Sequence, residues 1–231
     1  MFTQISMILA LETSSSLCAV CLLEPSTGRV LAEISNDIGR GHAERLMDDI
    51  TEALRIADIG YADLTAIAAG IGPGSFTGIR VAVAAARGFG LALTIPVLGV
   101  TSLQAIALQA KEHADSANIL VVQDAGREEL HVQLFDRNAL PLQSPKAMAL
   151  AVFPQEMSGL NALICGSGLQ ILDPLSLPKG LRQHVNLLTP TAQFVARAAL
   201  DPAMTMAAKP LYLRAPDAKP QAGFAIARMP S

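Results

Sequence analysis

The chain has 231 residues, of which 51% are hydrophobic and 16% charged, with a net charge of −3 at neutral pH. This composition builds a substantial core, in one large domain or two small lobes, and excludes intrinsic disorder. Trp is absent, aromatic residues are 4%, and no Lys/Arg run occurs. That excludes a protein gripping nucleic acid by itself through charge and base stacking, though not one that meets RNA inside a complex.

In chain order, Met7 to Glu12 (MILALE) is a short apolar run that predicts a buried strand. Leu17 to Glu24 predicts a second strand and Val30 to Ile34 a third, after the turn PSTG at 25–28, so the chain opens with a meander. Cys18 and Cys21 form C-x-x-C within the second strand, where residues three apart point to opposite faces. They are expected to be buried thiols, neither a redox pair nor a zinc site. His42 to Ala57 is an amphipathic helix, with Leu46, Met47, Ile50, Ala53 and Leu54 on one arc and Glu44, Asp48, Glu52 and Arg55 opposite. Leu64 to Ala69 is a fourth strand, ending in IGPGSFTGIR (71–80).

That motif opens a second helix, from about Phe76 to Leu93, that is apolar or small almost all round. Arg80 and Arg87, seven apart, share one face; Gly78, Ala82, Ala85 and Phe89 line the opposite one. Such a helix is buried on more than one side. One side meets the sheet, and small residues on another admit a neighbouring helix; which face meets which is left open by the pattern. Pro96 to Val100 is a fifth strand, so residues 1–101 read as a β-β-β-α-β-α-β lobe.

The second half starts afresh with a helix at Ser102 to Lys111, a strand at Ile119 to Gln123, the turn DAGREE and a strand at Leu130 to Phe135. Ala162 to Cys165 reads as a strand ending in GSG (166–168), and Ala192 to Leu200 as a helix. The recurrence of strand-turn-strand in ALETSSSLCAVCLL and VVQDAGREELHVQLF suggests a duplicated α/β architecture, with 102–231 as the second lobe. From Ala215 a Pro- and Ala-rich tail is expected to be weakly ordered. MILAL is too short for a signal segment, and the uncharged stretch 88–110 is broken by Pro96, Gly99, Thr101 and Ser102. No membrane association is expected, and the protein reads as soluble and cytoplasmic.

Four segments, ILALETSSSLCAVCLL, RGHAERLMDDI, GIGPGSFTGIRVAVAAARGFGLAL with VLGVTSLQAIA, and KPLYLRAPDA, resemble the bacterial TsaB family. The resemblance is strong over residues 7–135 and rests most specifically on GPGSFTGIR. It implies the actin-like ATPase (ASKHA) fold, two lobes each with a ribonuclease-H-like core. It also implies an accessory, non-catalytic subunit of the machinery that builds threonylcarbamoyladenosine beside the anticodon of certain transfer RNAs. Its implied partners are a TsaD-type catalytic subunit, through the helices of the first lobe, and a TsaE-type ATPase in the complex, with tRNA met only through that complex.

The residues bear on that implication. Actin-like ATPases hold phosphate with an acidic residue and glycine in the first hairpin turn, because glycine lets backbone N–H groups approach. Here the turn is Glu12-Thr13-Ser14-Ser15-Ser16, with no glycine. Asp124 and Gly126 in the second hairpin, with Gly166 and Gly168, are the remaining candidates; GSG fits either a nucleotide contact or a plain turn. No cofactor is expected, beyond weak ATP or ADP binding within a complex. The partner family's metal motif H-x-x-x-H is incomplete, since Leu46 stands four residues after His42. His42 is expected to cap the helix or lie on the surface. Gly72 and Gly74 fit a strand-to-helix turn with Ser75 as N-cap, and the spacing and missing lysine exclude a Walker loop.

Two classes of function remain open: a scaffold subunit, or an actin-like-fold enzyme such as a small-molecule kinase or a peptidase. For the scaffold, Arg45, Asp49, Gly78, Ala82, Ala85, Ala86 and Phe89 are the expected partner-binding residues. A charge at Ala82 or Ala86 would then break pairing and spare the fold. Without its partner, the same apolar surface is expected to pair with a second copy.

Overall fold

The protein is described by a computed structural model covering residues 6–115, 117–184, 187 and 189–214; the tail expected to be weakly ordered lies outside the described residues. MILALE forms β1 (Met7–Glu12), and β2 (Leu17–Glu24) and β3 (Arg29–Asp37) complete the meander. Then come α1 (His42–Ala57), β4 (Leu64–Gly70), α2 (Phe76–Leu93) and β5 (Val97–Val100), with β4 and β5 adding in parallel beside β1. Every residue of β1 is buried. The reason is that helices cover both faces of this sheet, which is what turns an alternating strand into a continuous apolar run. Leu9, Leu11, Cys18, Val20 and Leu22 pack toward α1 and α2, whereas Ala10, Ala19, Cys21 and Leu23 pack on the other side. The two cysteines therefore face opposite ways, and burial pushes both thiols up to about 12.

The second lobe repeats the plan. After α3 (Ser102–Ala110), strands β6 (Asn118–Gly126), β7 (Glu129–Phe135) and β8 (Lys146–Ala149) form an antiparallel meander. With α4 (Phe153–Glu156) between, β9 (Ala162–Cys165) and β10 (Leu181–His184) add in parallel beside β6. The strand order β10-β9-β6-β7-β8 matches the order β5-β4-β1-β2-β3 of the first lobe. Among the described residues, short 3-10 turns at Ser167–Gln170 and Pro174–Ser176 stand where α2 stands in the first lobe.

The expected boundary near residue 101 does not hold at the C-terminal end. The helix α5 (Ala192–Ala198) covers the second face of the first sheet, its Ala192, Val195 and Ala196 joining Ala10 and Cys21. The short β11 (Met206–Ala207) then pairs with the edge strand β5. The first sheet thus takes its last cover and its outermost strand from the far end of the chain.

Candidate functional site

The motif at 71–80 is a clamp on the first hairpin turn. Ser75 is the N-cap of α2, its Oγ accepting from Gly78 N at 3.2 Å. Ser75 N donates to Ser14 O at 2.7 Å, and Thr13 Oγ1 donates to Gly78 O at 2.6 Å. Gly72 (φ +90°) makes the turn, while a Cβ at Gly74 would collide with Ser14 O and one at Gly78 with Thr13 O. Ser14 Oγ meets Ser102 Oγ at 2.8 Å. The groups of Thr13 and Ser14 are therefore spent on protein partners. Glu12, fully buried, accepts from Ser14 N through Oε1 at 2.5 Å; Oε2 has no partner. Burial pushes its carboxyl up to about 7, against the pull of the Ser14 contacts.

Between the lobes lies a cleft of about 310 Å³, walled by Ser14 and Ser75 on one side and by Gln123, Asp124, His131 and Ser167 on the other. No lysine or arginine is among the described residues lining it. Asp124 is turned on its own hairpin, accepting from Gly126 N at 2.7 Å. Gly166 instead packs against the Val122 backbone and Gly168 against Leu130 and Val122, leaving no room for a side chain at Gly166 and little at Gly168; of the GSG turn only Ser167 lines the cleft. His131, unnoticed in the sequence because it alternates with apolar residues in ELHVQLF, lines the same cleft as Ser75. Its pKa is lowered, first by burial and then by Arg214. No hydrogen bond joins it to Ser75, whose Oγ already serves the helix cap, and an activated nucleophile needs its base within that reach. Among the described residues no group of three His, Cys, Asp or Glu side chains is placed to hold a metal ion.

The residues expected to bind a partner divide. Gly78, Ala82 and Ala86 are buried and face the chain's own sheet, with Ala82 and Ala86 packed in the core beside Leu9, Leu11 and Ile67; they are not a docking surface. Ala85 and Phe89 lie at the edge of that core, Phe89 stacked on Tyr61 at 5.5 Å. Asp49 is buried and holds α1 to β3, accepting from Asn36 Nδ2 at 3.1 Å and from Arg45 Nε at 2.7 Å. Arg45 is itself exposed. His42 is buried behind the N-cap Gly41, not a cap or surface residue. A further flank of α2, Ile79 and Val83, is covered by Ile71 and Leu211 of the same chain. What remains open is a stripe of Phe76, Arg80, Ala84, Arg87, Gly88 and Leu91, with Leu91 84% exposed. By length and composition α2 is apolar enough to cross a membrane, yet its inner face is packed on the sheet and its outer face carries both arginines.

Two meander-and-crossover lobes facing each other across a cleft define a protein of the actin-like ATPase class. A profile of the TsaD family, tRNA N6-adenosine threonylcarbamoyltransferase, matches residues 29–149. The chain belongs to the TsaB family. It is 35% identical over 229 residues to an uncharacterized protein of Mycobacterium tuberculosis, covering 95% of this chain and 97% of that one. It is 34% identical over 124 residues to the tRNA threonylcarbamoyladenosine biosynthesis protein TsaB of Haemophilus influenzae, covering 54% of this chain and 51% of that relative. A crystal structure from Pseudomonas aeruginosa, described as an uncharacterized protein with similarity to peptidase YeaZ, superposes with a TM-score of 0.74 at 27% identity, over 90% of this chain and 100% of that one.

Proposed function

We propose that this chain is a non-catalytic subunit in the threonylcarbamoyl modification of tRNA, acting in the cytoplasm by docking a TsaD-type catalytic subunit on the outer stripe of α2. The observation that carries the reading is that stripe: a helix with exposed Phe76 and Leu91, small Ala84 and Gly88, and, apart from Tyr212 at its Phe76 end, no covering element among the described residues. Apolar surface left in water favours association at roughly 25 cal/mol per Å² covered. Small residues let a partner helix approach closely. The absence of chemistry is supported from the cleft. Thr13 and Ser14 are spent on the 72–78 loop and Ser102, Asp124 would repel phosphate, and no lysine or arginine is among the described residues on the wall. On this reading, nucleotide and tRNA are met only in the complex, with a TsaE-type ATPase, and the free chain pairs with a second copy.

The test is reconstitution. The full chain is expected to co-purify with a TsaD-type protein, and modified adenosine should form only when both are present. Leu91→Asp is expected to abolish pairing and modification while the melting temperature stays put. Full modification by the variant, with pairing lost, would end this reading.

A further inference from the structure

The two arginines of the stripe differ from the five that are paired within the chain. Arg29, Arg45, Arg55, Arg182 and Arg214 each hold a carboxylate of their own chain. Arg80 and Arg87 hold none among the described residues. They stand seven residues apart on one helix face, about 10 Å along the axis. Arg80 is also held still. Its guanidinium carbon lies 3.8 Å from the centroid of the Phe76 ring, and its Nε–H donates to the Tyr212 hydroxyl at 2.8 Å. The Phe76 and Tyr212 rings are themselves 5.3 Å apart. Tyr212 arrives from the far end of the chain. Pairing of β11 with β5, and Leu211 N donating to Ile71 O at 2.8 Å, fix the segment on the first lobe. Arg214, two residues on, pairs with Glu129 of the second lobe.

We propose that Phe76 and Tyr212 hold Arg80 ready as the anchor for a carboxylate on the docked partner, with Arg87 beside it; Tyr212 acts as a positioning residue. The inference rests on the docking face proposed above and names its chemistry: a helix surface carrying acidic side chains. A guanidinium fixed beforehand gives up less side-chain freedom when it pairs, and its terminal nitrogens suit a carboxylate fork. An RNA backbone fits worse, because Phe76, Ala84, Gly88 and Leu91 around the arginines call for apolar cover that phosphates lack. A second copy laid α2 on α2 across a twofold axis would oppose its own arginines, so pairing of free chains on this face is expected to be weaker than pairing with the partner.

The experiment is calorimetric titration of the full chain with the TsaD-type partner at low and moderate salt. Arg80→Ala is expected to weaken binding about 10-fold and to flatten its salt dependence. Tyr212→Phe keeps the ring and removes the acceptor; it is expected to cost about 3-fold with the melting temperature unchanged, and nothing further in the Arg80→Ala background. Arg80→Gln serves as a second variant in case alanine perturbs the helix. Equal losses from Tyr212→Phe in both backgrounds, or Arg80 variants that bind like wild type, would overturn the proposal. So would variants that lose retention of tRNA while still pairing with the protein, which would place nucleic acid on the stripe. Leu91→Asp separates the two readings. If it binds normally, the docking face itself is wrong; if it alone abolishes binding, the face stands and only the anchor falls.

Discussion

The inner and outer faces of α2 are built from almost the same residues and do opposite things. Inside stand Gly78, Ala82, Ala86 and Gly90, all buried. Outside stand Ala84, Gly88 and Leu91 with two arginines, all exposed. The inner glycines are there because the helix touches backbone and core: a Cβ at Gly78 would meet Thr13 O, and one at Gly90 would meet the Val97 side chain. A Cβ at Gly88 would meet nothing within 4 Å. A small residue in a helix thus records either a close approach within the chain or room kept for another chain, and only the neighbours tell the two apart.

The strongest way to break this contrast is a charge on the inner face. Ala82→Arg would put a guanidinium among Leu9, Leu11 and Ile67 with no partner, a cost of about 5 kcal/mol or more. The variant is expected to lack a cooperative unfolding transition by circular dichroism; a folded monomer that merely fails to pair would reverse the assignment of faces. Gly78→Ala is milder, because the first turn of α2 can lift from the Thr13 carbonyl at the expense of the Ser75 and Thr13 hydrogen bonds. It is expected to destabilise by about 2–4 kcal/mol in urea unfolding.

Beneath that turn lies Glu12, whose folded pKa of about 7 stands above its ordinary 4.5. Between those values the folded chain binds the proton more tightly than the unfolded one, so the contribution is whole below about 4.5 and is lost as pH rises through 7. Wild-type stability should therefore fall by about 1–3 kcal/mol between pH 5 and 8, and Glu12→Gln should flatten that slope. Parallel slopes for the two proteins would show that burial does not keep the carboxyl neutral.

Much of this organisation was legible along the chain. Continuous apolar runs marked β1 and β2 as covered on both faces, and the paired hairpins announced the duplicated lobes. The N-cap at Ser75 followed from its place after Gly74. The phase of α2 did not follow. Apart from Thr77, Arg80 and Arg87, every residue of the helix is apolar or small, so only the arginines orient it. They marked the outer face, but the face opposite them belonged to the sheet, not to a partner. Asp49 shows the same limit: its partner Arg45 at i−4 is local, whereas Asn36 on β3 is set by tertiary packing. The helix α5 was legible at Ala192 to Leu200, but its return to the first sheet was not, and the two-residue β11 left no local signal, because so short a strand owes its existence to the sheet that receives it. His131 and Gln123 reached the cleft for the same reason.

The smallest expected effect sharpens the contrast best, because its two readouts should move in opposite directions. Gly88 sits in the exposed interior of α2 with open space where a Cβ would go. Gly88→Ala relieves the backbone entropy of glycine without a clash, and is expected to stabilise the isolated chain by about 0.5–1 kcal/mol. The same methyl group stands between Arg80 and Leu91 on the stripe, where a partner helix would pack at the closest distance. Affinity for the TsaD-type subunit should therefore fall while the melting temperature rises. Destabilisation would mean that this part of α2 is covered by the chain itself. A gain in stability with unchanged affinity would move the closest helix contact away from residue 88, toward the Phe76 end of the stripe.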